Sequence, residues 1–415
     1  MLDLKEIRRD PEAARAALDR RRAAEALDEV LALDARRREL LPELEGGRAR
    51  QNEASKRIPE LQKAGEDASR AIAEMRELAP RVKRLEGEVA DVQGRLGAAL
   101  AGVPNLPDPS APEREDVVLR EEGEAGASGA DHLELLGGWI DLERGARVAG
   151  SRFAYLKGPL VMLELALVRF ALETVQAHGF MPTIPPVLVR EEAMYGTGFL
   201  PDTEQQIYRL AEDDLYLVGT SEVPLAALHA GEIQEEEELP RRYAGFSPCF
   251  RREAGAAGKD TRGIFRVHQF DKVEMFAFVS PEDSGDEHER LLAIEEELLG
   301  ALEIPYRLVN IAAWDLGASA AKKYDLEAWL PGQERYRELT SCSNTTDYQA
   351  RRLDARYRPA AGGAPRHLHT LNGTAVAVGR TIIAIVENHQ QPDGTVAVPA
   401  VLQGFGAPST ISRPE

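Results

Sequence analysis

The segment FRREAGAAGKDTRGIFRVHQFDKVE, residues 250–274, indicates what kind of sheet this chain forms. It places two arginines and a glutamate before a glycine-rich basic loop. A loop that cradles phosphate normally leads into a helix whose amide groups face the anion, but the residues after this loop alternate between apolar and polar like a strand. The segment therefore predicts a strand hairpin with a charged, flexible tip.

The sequence around this hairpin predicts further strands and several helices. Strand-like runs occur at residues 214–220, 242–250, 273–279, 306–311 and 381–387. Helical patterns occur around residues 158–178, 222–230 and 284–302. Strands joined as hairpins favour an antiparallel sheet over a doubly wound parallel one. We therefore predict an α+β fold, a mostly antiparallel sheet with helices, for residues 131–415.

The first 102 residues have the pattern of two long helices. Apolar residues from Leu78 to Leu100 recur at spacings of three and four, which makes one seam along a helix. A second amphipathic run begins at Leu27 and continues to about Lys63, and KAGED at 63–67 separates the two runs as a turn. The pattern predicts an antiparallel helical hairpin that its interior prolines bend. From the pattern alone, a coiled-coil dimerisation element is an equal alternative.

Residues 103–130 are predicted to be a linker between these two parts. The segment VPNLPDPSAPERED at 103–116 has four prolines, and EEGEAGASGA at 121–130 adds glycine and acidic residues. A segment of this composition is not expected to contribute to a core.

The composition argues against a membrane-spanning chain and against a secreted, disulfide-rich one. Of the 415 residues 43% are hydrophobic, but the most apolar segment, residues 158–175, is interrupted by Glu164, Arg169 and Glu173. A membrane span needs about 20 apolar residues. The charged N-terminus lacks the apolar region of a signal peptide. Two cysteines in so long a chain predict a reducing, cytoplasmic environment and no cysteine-rich zinc site.

The net charge of −19 is distributed unevenly. Residues 1–100 have 21 Lys plus Arg and 21 Asp plus Glu, so the whole negative excess lies in the remaining 315 residues. Binding responds to charges within a Debye length of about 10 Å. The neutral N-terminal region can therefore tolerate a polyanion such as a nucleic acid.

The hairpin has the residue types that bind a purine nucleotide. Arginine and lysine pair with phosphate oxygens, and an aromatic ring stacks on a purine. The cations and the ring are Arg251, Lys259, Arg262, Arg266 and Phe270. A further arginine, Arg380, stands at the predicted start of a helix after a strand, where it could close over the same ring.

Three segments resemble the motifs of a known enzyme class. The hairpin at 250–274 resembles motif 2 of the class II aminoacyl-tRNA synthetases, GFMPTIPPVLVRE at 179–191 resembles their motif 1, and NGTAVAVGRTIIAIVENHQ at 372–390 resembles their motif 3. The motifs occur in the right order.

Within that class, three details resemble the seryl-tRNA synthetase family: GTSEVPL at 219–225, RELTSCSNTTDYQARR at 337–352 and the N-terminal helical hairpin. The resemblance covers essentially the whole chain. The chain departs from the family pattern at Ser221, where alanine is frequent, and at Thr374 and Ala375, where serine and glycine are common.

The resemblance implies a role for each residue of these motifs. ATP contacts are implied for Arg251, Glu253, Lys259, Arg266, Val267, Phe270, Glu338, Leu339, Thr340, Ser341 and Arg380. Serine contacts are implied for Thr220, Ser221, Glu222, Arg251, Glu274, Asn372 and Thr374. Among these, Arg251 and Arg380 are the implied catalytic residues, Phe270 and Arg380 would sandwich the adenine, and Glu338 and Ser341 would hold Mg²⁺.

The implied activity is the formation of seryl-adenylate and pyrophosphate from serine and ATP, followed by transfer of the seryl group to the terminal ribose of serine tRNA. Implied partners are serine, ATP, Mg²⁺ without zinc, the tRNA, and a second copy of the chain bound through motif 1. Whether selenocysteine tRNA is also charged stays open. The candidate phosphate contacts on the helical arm are Arg36, Arg37, Arg38, Arg48, Arg50, Lys56, Arg57, Arg81, Lys83 and Arg84.

Two rival functions fit the sequence less well. Enzymes that load an amino acid onto a carrier protein look like such a catalytic domain but lack the helical arm. A structural coiled-coil protein is disfavoured because the motifs keep their charged residues. A threonyl or prolyl enzyme is disfavoured because the chain ends soon after motif 3, at residues 403–415.

Overall fold

The computed structural model describes residues 1–201, 206–254, 260 and 262–414. These residues form two compact units, one of residues 3–104 and the other of residues 1–2 with 105–415. The helices are α1 Leu4–Arg9, α2 Pro11–Asp19, α3 Ala26–Ala64, α4 Ser69–Gly102, α5 His132–Leu136, α6 Leu142–Ala149, α7 Pro159–Ala177, α8 Glu191–Thr197, α9 Glu222–Ala226, α10 Ser284–Ala301, α11 Tyr348–Leu353, α12 Val378–Asn388 and α13 Ala400–Gln403.

The smaller unit is the predicted helical hairpin. All seven residues of the α4 seam, from Leu78 to Leu100, are buried against α3. Gly65, in the left-handed conformation at φ 72°, ends α3 and begins the turn. A Cβ atom on Gly47 would lie 3.0 Å from Val82 Cγ2, so this glycine permits the close approach of the two helices. Both helices continue through their interior prolines, Pro42, Pro59 and Pro80.

The larger unit is built on one eight-stranded sheet. Its strands are β1 Val117–Glu122, β2 Met181–Thr183, β3 Arg241–Phe250, β4 Gln269–Val279, β5 Tyr306–Asn310, β6 Lys322–Leu330, β7 Arg335–Asn344 and β8 His369–Ala377. Their order across the sheet is β1-β5-β6-β7-β8-β4-β3-β2. Every neighbouring pair is antiparallel except β2 with β3, which is parallel. The predicted α+β class with an antiparallel sheet is confirmed.

Smaller strand groups lie outside this sheet. They are Ile140–Asp141 with Tyr155–Leu156; Leu188–Val189, Arg209–Leu210 and Leu215–Leu217; Ile233–Glu235, Arg356–Arg358 and Arg366–His367; and Val396–Ala397 with Thr410–Ile411.

The sheet separates a helix-covered face from the face that carries the motifs. Helices α7, α10 and α12 contact the sheet and share one core with alternate residues of β4, including Val273 and Met275. Successive side chains of a strand point to opposite faces. Phe270, Lys272 and Glu274 alternate with these core residues along β4 and therefore point to the other face.

A β-bulge changes this alternation in β7. Leu326 of β6 pairs with Thr340, whereas Glu327 pairs with Glu338, so Leu339 is the extra residue. Two residues three apart on a regular strand would point to opposite faces, but a bulge between them re-aims one side chain. Glu338 and Ser341 therefore lie on the same face of the sheet.

Two predictions from the sequence differ from the structure. The segment at 103–130, predicted to be a linker without a core role, contributes β1, which pairs with β5, and buries Val103 and Asn105. The Asn105 amide donates hydrogen bonds to the carbonyl oxygens of Ser319 and Thr345, and side-chain anchoring of this kind is not visible in a proline-rich composition.

The second difference is the run TIIAIVE at 381–387, whose β-branched residues predict a strand. It belongs to α12, and Arg380 lies in the first turn of this helix, in agreement with the predicted position of Arg380 at a helix start. Short runs of β-branched residues fit a buried helix as well as a strand, and here the helix buries them against the sheet. In the described part of the chain, no helix is long and apolar enough to cross a membrane.

Candidate active site

The motif residues line one cavity on the face of the sheet opposite α7, α10 and α12. Its volume is about 1070 Å³. The predicted residues that line it are Thr220, Glu222, Arg251, Glu253, Arg266, Val267, Phe270, Glu274, Glu338, Leu339, Thr340, Ser341, Asn372, Thr374 and Arg380. Three strands (β4, β7 and β8), the segment between β3 and β4, the start of α9 with the residues before it, and α12 bring together residues that are up to 160 positions apart in the sequence.

One end of the cavity is acidic. The Glu222 carboxylate accepts hydrogen bonds from Gln349 Nε2 at 2.7 Å and from Asn372 Nδ2 at 3.1 Å. Glu274 pairs with Lys272, and Thr374 Oγ1 donates to Glu274 Oε2 at 3.4 Å. Burial and then the nearby Glu274 raise the pKa of Glu222 to about 7, although Gln349, Lys272 and Arg251 oppose the shift. This end of the cavity is suited to a small molecule that has a cationic group and a hydroxyl group.

The other end is rich in arginine. Arg251 Nε donates to the Gly219 carbonyl oxygen at 3.2 Å, and its guanidinium carbon lies 5.2 Å from the centre of the Phe270 ring. Arg266 Nη1 pairs with Glu253 Oε2 at 2.6 Å. Arginine supplies planar, paired donors to phosphate oxygens and stacks on aromatic rings. This end suits a nucleotide.

Arg380 stacks on a ring that the sequence did not single out. Its guanidinium carbon lies 4.6 Å from the centre of the Phe265 ring, and that of Arg337 lies 4.0 Å from the same centre. Arg380 Nη1 also donates to the Glu338 carbonyl oxygen at 2.8 Å. The arrangement in which Phe270 and Arg380 sandwich the adenine ring remains a prediction. In this structure Arg380 contacts the Phe265 ring.

Glu338 and Ser341 have the chemistry of a magnesium site. Burial works against ionisation of Glu338, but Lys323, Arg380 and Arg251 outweigh it and lower its pKa to about 2. The carboxylate is therefore charged, and the bulge at Leu339 puts it on the same face as the Ser341 hydroxyl. Among the described residues, no group of three or more His, Cys, Asp or Glu could hold a metal. A carboxylate and a hydroxyl are oxygen donors of the kind that Mg²⁺ accepts, since Mg²⁺ is commonly held by one or two protein oxygens together with substrate phosphates.

Of the predicted contacts that the structure describes, Ser221 does not line the cavity. Ser221 is fully buried and its hydroxyl lies 2.7 Å from the Ser247 hydroxyl, so its predicted contact with serine remains a prediction. Its predicted contact rests on its place in GTSEVPL, where only the neighbours Thr220 and Glu222 face the cavity. Lys259 lies outside the described residues.

Comparisons with known proteins identify the chain's relatives. The family model of the tRNA synthetase class II core domain (G, H, P, S and T) matches residues 206–389, and that of the seryl-tRNA synthetase N-terminal domain matches residues 1–107. A serine–tRNA ligase of Rubrobacter xylanophilus is 50% identical over 412 residues, which is 97% of each chain. The chain belongs to the seryl-tRNA synthetase family. It is a serine–tRNA ligase, with the class II core and the helical arm of that family.

Solved structures of seryl-tRNA synthetases agree with this assignment. The enzyme from Pyrococcus horikoshii, complexed with ATP, is 43% identical and matches with a TM-score of 0.94 over 100% of both chains. The cytoplasmic serine–tRNA ligase from Naegleria fowleri, in complex with AMP, is 32% identical and matches with a TM-score of 0.87 over 97% of this chain and 96% of that one. The resemblance predicted from the motifs is confirmed.

Several residues of this seryl-tRNA synthetase site were missed by sequence reasoning. Lys272 and Lys323 line the cavity, and Gln349 holds Glu222. Lys272 precedes Glu274 by two residues on one strand, so the period of a strand could have found it. Gln349 lies inside the quoted motif RELTSCSNTTDYQARR. Lys323 has no comparable signal, because only the pairing of β6 with β7 brings it near Glu338.

The candidate phosphate contacts on the arm fall into two groups. Five form ion pairs with acidic residues of the arm: Arg36, Arg37, Arg48, Arg81 and Arg84. For the other five, the described residues include no ion-pair partner, and their side chains are exposed: Arg38, Arg50, Lys56, Arg57 and Lys83. The second group can meet a phosphate without first breaking an ion pair.

Proposed function

We propose that the chain, working in the cytoplasm with Mg²⁺ and without zinc, forms seryl-adenylate in this cavity and then transfers the seryl group to serine tRNA. The observation that carries the proposal is the division of one cavity into an acidic end at Glu222 and Glu274 and a basic end at Arg251 and Arg266. An amino acid has an ammonium group and a carboxylate, and ATP has a polyphosphate. The two ends complement the two substrates.

In the first step, a carboxylate oxygen of serine attacks the α-phosphorus of ATP. A carboxylate O–P bond forms, the bond from the α-phosphorus to the bridging oxygen breaks, and pyrophosphate leaves. No proton is transferred, so the site needs positioning and positive charge and does not need a general base. Arg251 belongs to the basic end and is close enough to the acidic end to act electrostatically on Glu222, so we assign it to both the carboxylate and the α-phosphate.

Serine would be held by its ammonium group and its hydroxyl. Thr220 and Glu222 are assigned to the ammonium group, and Glu274, Asn372 and Thr374 to the rest of the pocket. Glu274 is an acceptor already oriented by Lys272 and Thr374, so it can receive the serine hydroxyl without reorganising.

Glu338 and Ser341 would hold Mg²⁺. The ion, when bound, supplies positive charge to the phosphate oxygens of ATP. Arg380 and Lys323 keep Glu338 ionised at neutral pH and so keep its oxygens available to a cation.

In the second step, a hydroxyl oxygen of the terminal ribose of the tRNA attacks the seryl carbonyl carbon and forms the ester bond. The bond between the carbonyl carbon and the phosphate oxygen breaks, and AMP leaves with the electron pair of that bond and takes up the hydroxyl proton on its phosphate. We assign tRNA binding to the helical arm, supported by its neutral charge and by the five exposed cations without ion pairs among the described residues. Serine tRNA is the expected substrate, and selenocysteine tRNA is a second candidate.

We further propose a homodimer through motif 1. Apolar side chains of α7 and of the segment around β2 are exposed: Val161, Met162, Leu165, Met181, Ile184 and Leu188. Exposed apolar residues gathered in this way mark a protein interface. The residues around β2 belong to the segment that resembles motif 1, and α7 directly precedes that segment.

The affinity for serine is expected to rise with pH between 6 and 8. Because the pKa of Glu222 is raised to about 7, the carboxyl group is mostly protonated at pH 6 and cannot pair with an ammonium ion. The KM for serine in pyrophosphate exchange should fall by up to about tenfold per pH unit below that pKa and level off above it. The Glu222→Gln variant should show a high KM that does not change with pH. A wild-type KM that stays constant from pH 6 to 8 would contradict this assignment.

A further inference from the structure

Helix α10 places one carboxyl group in the core beneath the cavity. Glu295 is completely buried. No Lys, Arg or His lies within ion-pair distance of it in the described part of the chain, and its Oε1 atom has no hydrogen-bond partner there. A buried carboxyl group without a cation is costly and needs a reason beyond packing.

Glu295 contacts two strands that carry different parts of the site. Thr340 Oγ1 of β7 donates to Glu295 Oε2 at 2.8 Å. On the neighbouring strand β8, a Cβ atom at Gly373 would lie 2.9 Å from Glu295 Oε1. The close approach of the β8 backbone to the carboxyl group therefore depends on the absence of a side chain at residue 373.

These two contact points stand next to the substrate residues. Thr340 lies between Glu338 and Ser341, the proposed magnesium ligands. Gly373 lies between Asn372 and Thr374, the proposed serine contacts, and pairs with Cys342 of β7. Glu295 thus touches the phosphate-side strand and the serine-side strand where they pair.

The surroundings of the Glu295 carboxyl group disfavour its ionisation. Burial raises the pKa of Glu295 well above its usual range, and the nearby Glu274 and Asp325 raise it further, while the Thr340 hydrogen bond and Lys272 oppose the shift. A neutral group here leaves Lys272 paired with Glu274 and places no negative charge beneath the phosphate-binding end. It can still accept the Thr340 hydrogen bond.

We propose that Glu295 is a positioning residue of the site: through Thr340 and Gly373 it sets the spacing between the strand that binds phosphate and metal and the strand that binds serine. The inference rests on the proposed function. Adenylate formation needs the serine carboxylate in line with the α-phosphorus, and a misplacement of about 1 Å can reduce the rate about 100-fold.

The test compares Glu295→Ala, Glu295→Gln and a control, Leu299→Ala, in the full-length chain. Leu299 is a buried residue of the same helix, so its truncation reproduces the loss of core packing. In serine-dependent pyrophosphate exchange, Glu295→Ala should lower kcat by about tenfold or more, with smaller changes in the KM of serine and ATP, because each half of the site stays intact but their spacing changes. Glu295→Gln, neutral and nearly isosteric, should restore most of kcat.

A double-mutant cycle with Gly373→Ala tests the contact itself. Gly373→Ala alone should lower kcat, because its Cβ atom meets Glu295 Oε1. Combined with Glu295→Ala, which removes that atom, the decrease in kcat should be smaller than the product of the two single decreases.

Two outcomes would overturn the inference: a kcat of Glu295→Ala within threefold of that of Leu299→Ala at equal thermal stability, or equal decreases in kcat in Glu295→Gln and Glu295→Ala. Wild-type chain without serine-dependent exchange would instead overturn the proposed function. The two failures are therefore distinguishable.

Discussion

Replacement of Arg251 by alanine is expected to slow adenylate formation by about 100-fold or more, the scale of one preorganised electrostatic contact in an active site. Arg251 lines the cavity at its basic end, and its guanidinium group lies over the Phe270 ring. Its replacement removes positive charge where two anions must approach each other. The measurement is serine-dependent exchange of pyrophosphate into ATP.

The neighbouring residue supplies the matched control for this variant. Arg252 is exposed and does not line the cavity. Arg252→Ala removes an equal charge one residue away and should leave the exchange rate within a few fold of wild type, as surface substitutions usually do. Near-normal exchange in Arg251→Ala, or equal decreases in both variants, would remove Arg251 from the reaction.

Deletion of residues 27–100, with the ends bridged, is expected to abolish transfer to tRNA and to leave adenylate formation largely intact. The deleted residues belong to the separate helical unit, whereas every proposed contact with serine or ATP lies at or beyond residue 220. Both activities can be measured on one preparation, by pyrophosphate exchange and by tRNA charging. Unchanged charging by the deletion variant would contradict the role of the arm.

Single substitutions refine the same prediction. Lys56→Ala and Arg57→Ala remove exposed cations without an ion pair among the described residues. If each cation meets one phosphate, its removal should reduce the slope of log affinity against log salt by about one unit or less. Arg48→Ala removes a cation that pairs with Glu86 and should reduce the slope less.

Mixed dimers test whether tRNA bound by the arm of one subunit is charged in the active site of the other. They combine arm-deleted subunits with full-length subunits carrying Arg251→Ala, so that each subunit keeps one of the two functions. Charging of tRNA by such heterodimers would show that the arm acts across the dimer. The absence of charging in proven heterodimers would exclude it.

Much of the site followed from the sequence because its parts are local. Period-two alternation in β4 puts Phe270 and Glu274 on one face, and β3 and β4 pair as the predicted hairpin. Residues 255–259 and 261 of its predicted charged, flexible tip lie outside the described residues. The helical seam from Leu78 to Leu100 is equally local, because each residue needs only its neighbours three and four positions away to define a face.

What the sequence missed depends on pairing between distant strands. The bulge at Leu339, which turns Glu338 and Ser341 to one face, exists only in the register of β7 against β6. The stacking of Arg380 on Phe265 joins residues that lie far apart in the sequence. The resemblance implies a serine contact for Ser221 because of its place in a motif. Its neighbours Thr220 and Glu222 line the cavity, whereas Ser221 is fully buried.

The segment at 103–130 shows the opposite kind of error. Its prolines and glycines predict the absence of regular structure, yet β1 pairs along the edge of the sheet and Asn105 fills its hydrogen bonds with backbone carbonyls. Composition describes what a segment can do alone. It does not describe the backbone pairing that becomes possible when the segment lies beside the edge strand of a sheet.

The central claim, that this cavity activates serine, is tested most directly by amino-acid-dependent pyrophosphate exchange with serine, alanine and threonine. Alanine lacks only the hydroxyl group and would leave buried polar groups such as Glu274 unpaired, so its kcat/KM should be lower than that of serine by up to about 10,000-fold. Threonine adds a methyl group that Thr374 would crowd. Strong exchange with serine and very weak exchange with the other two is the expected result, whereas alanine activated within tenfold of serine would contradict the account.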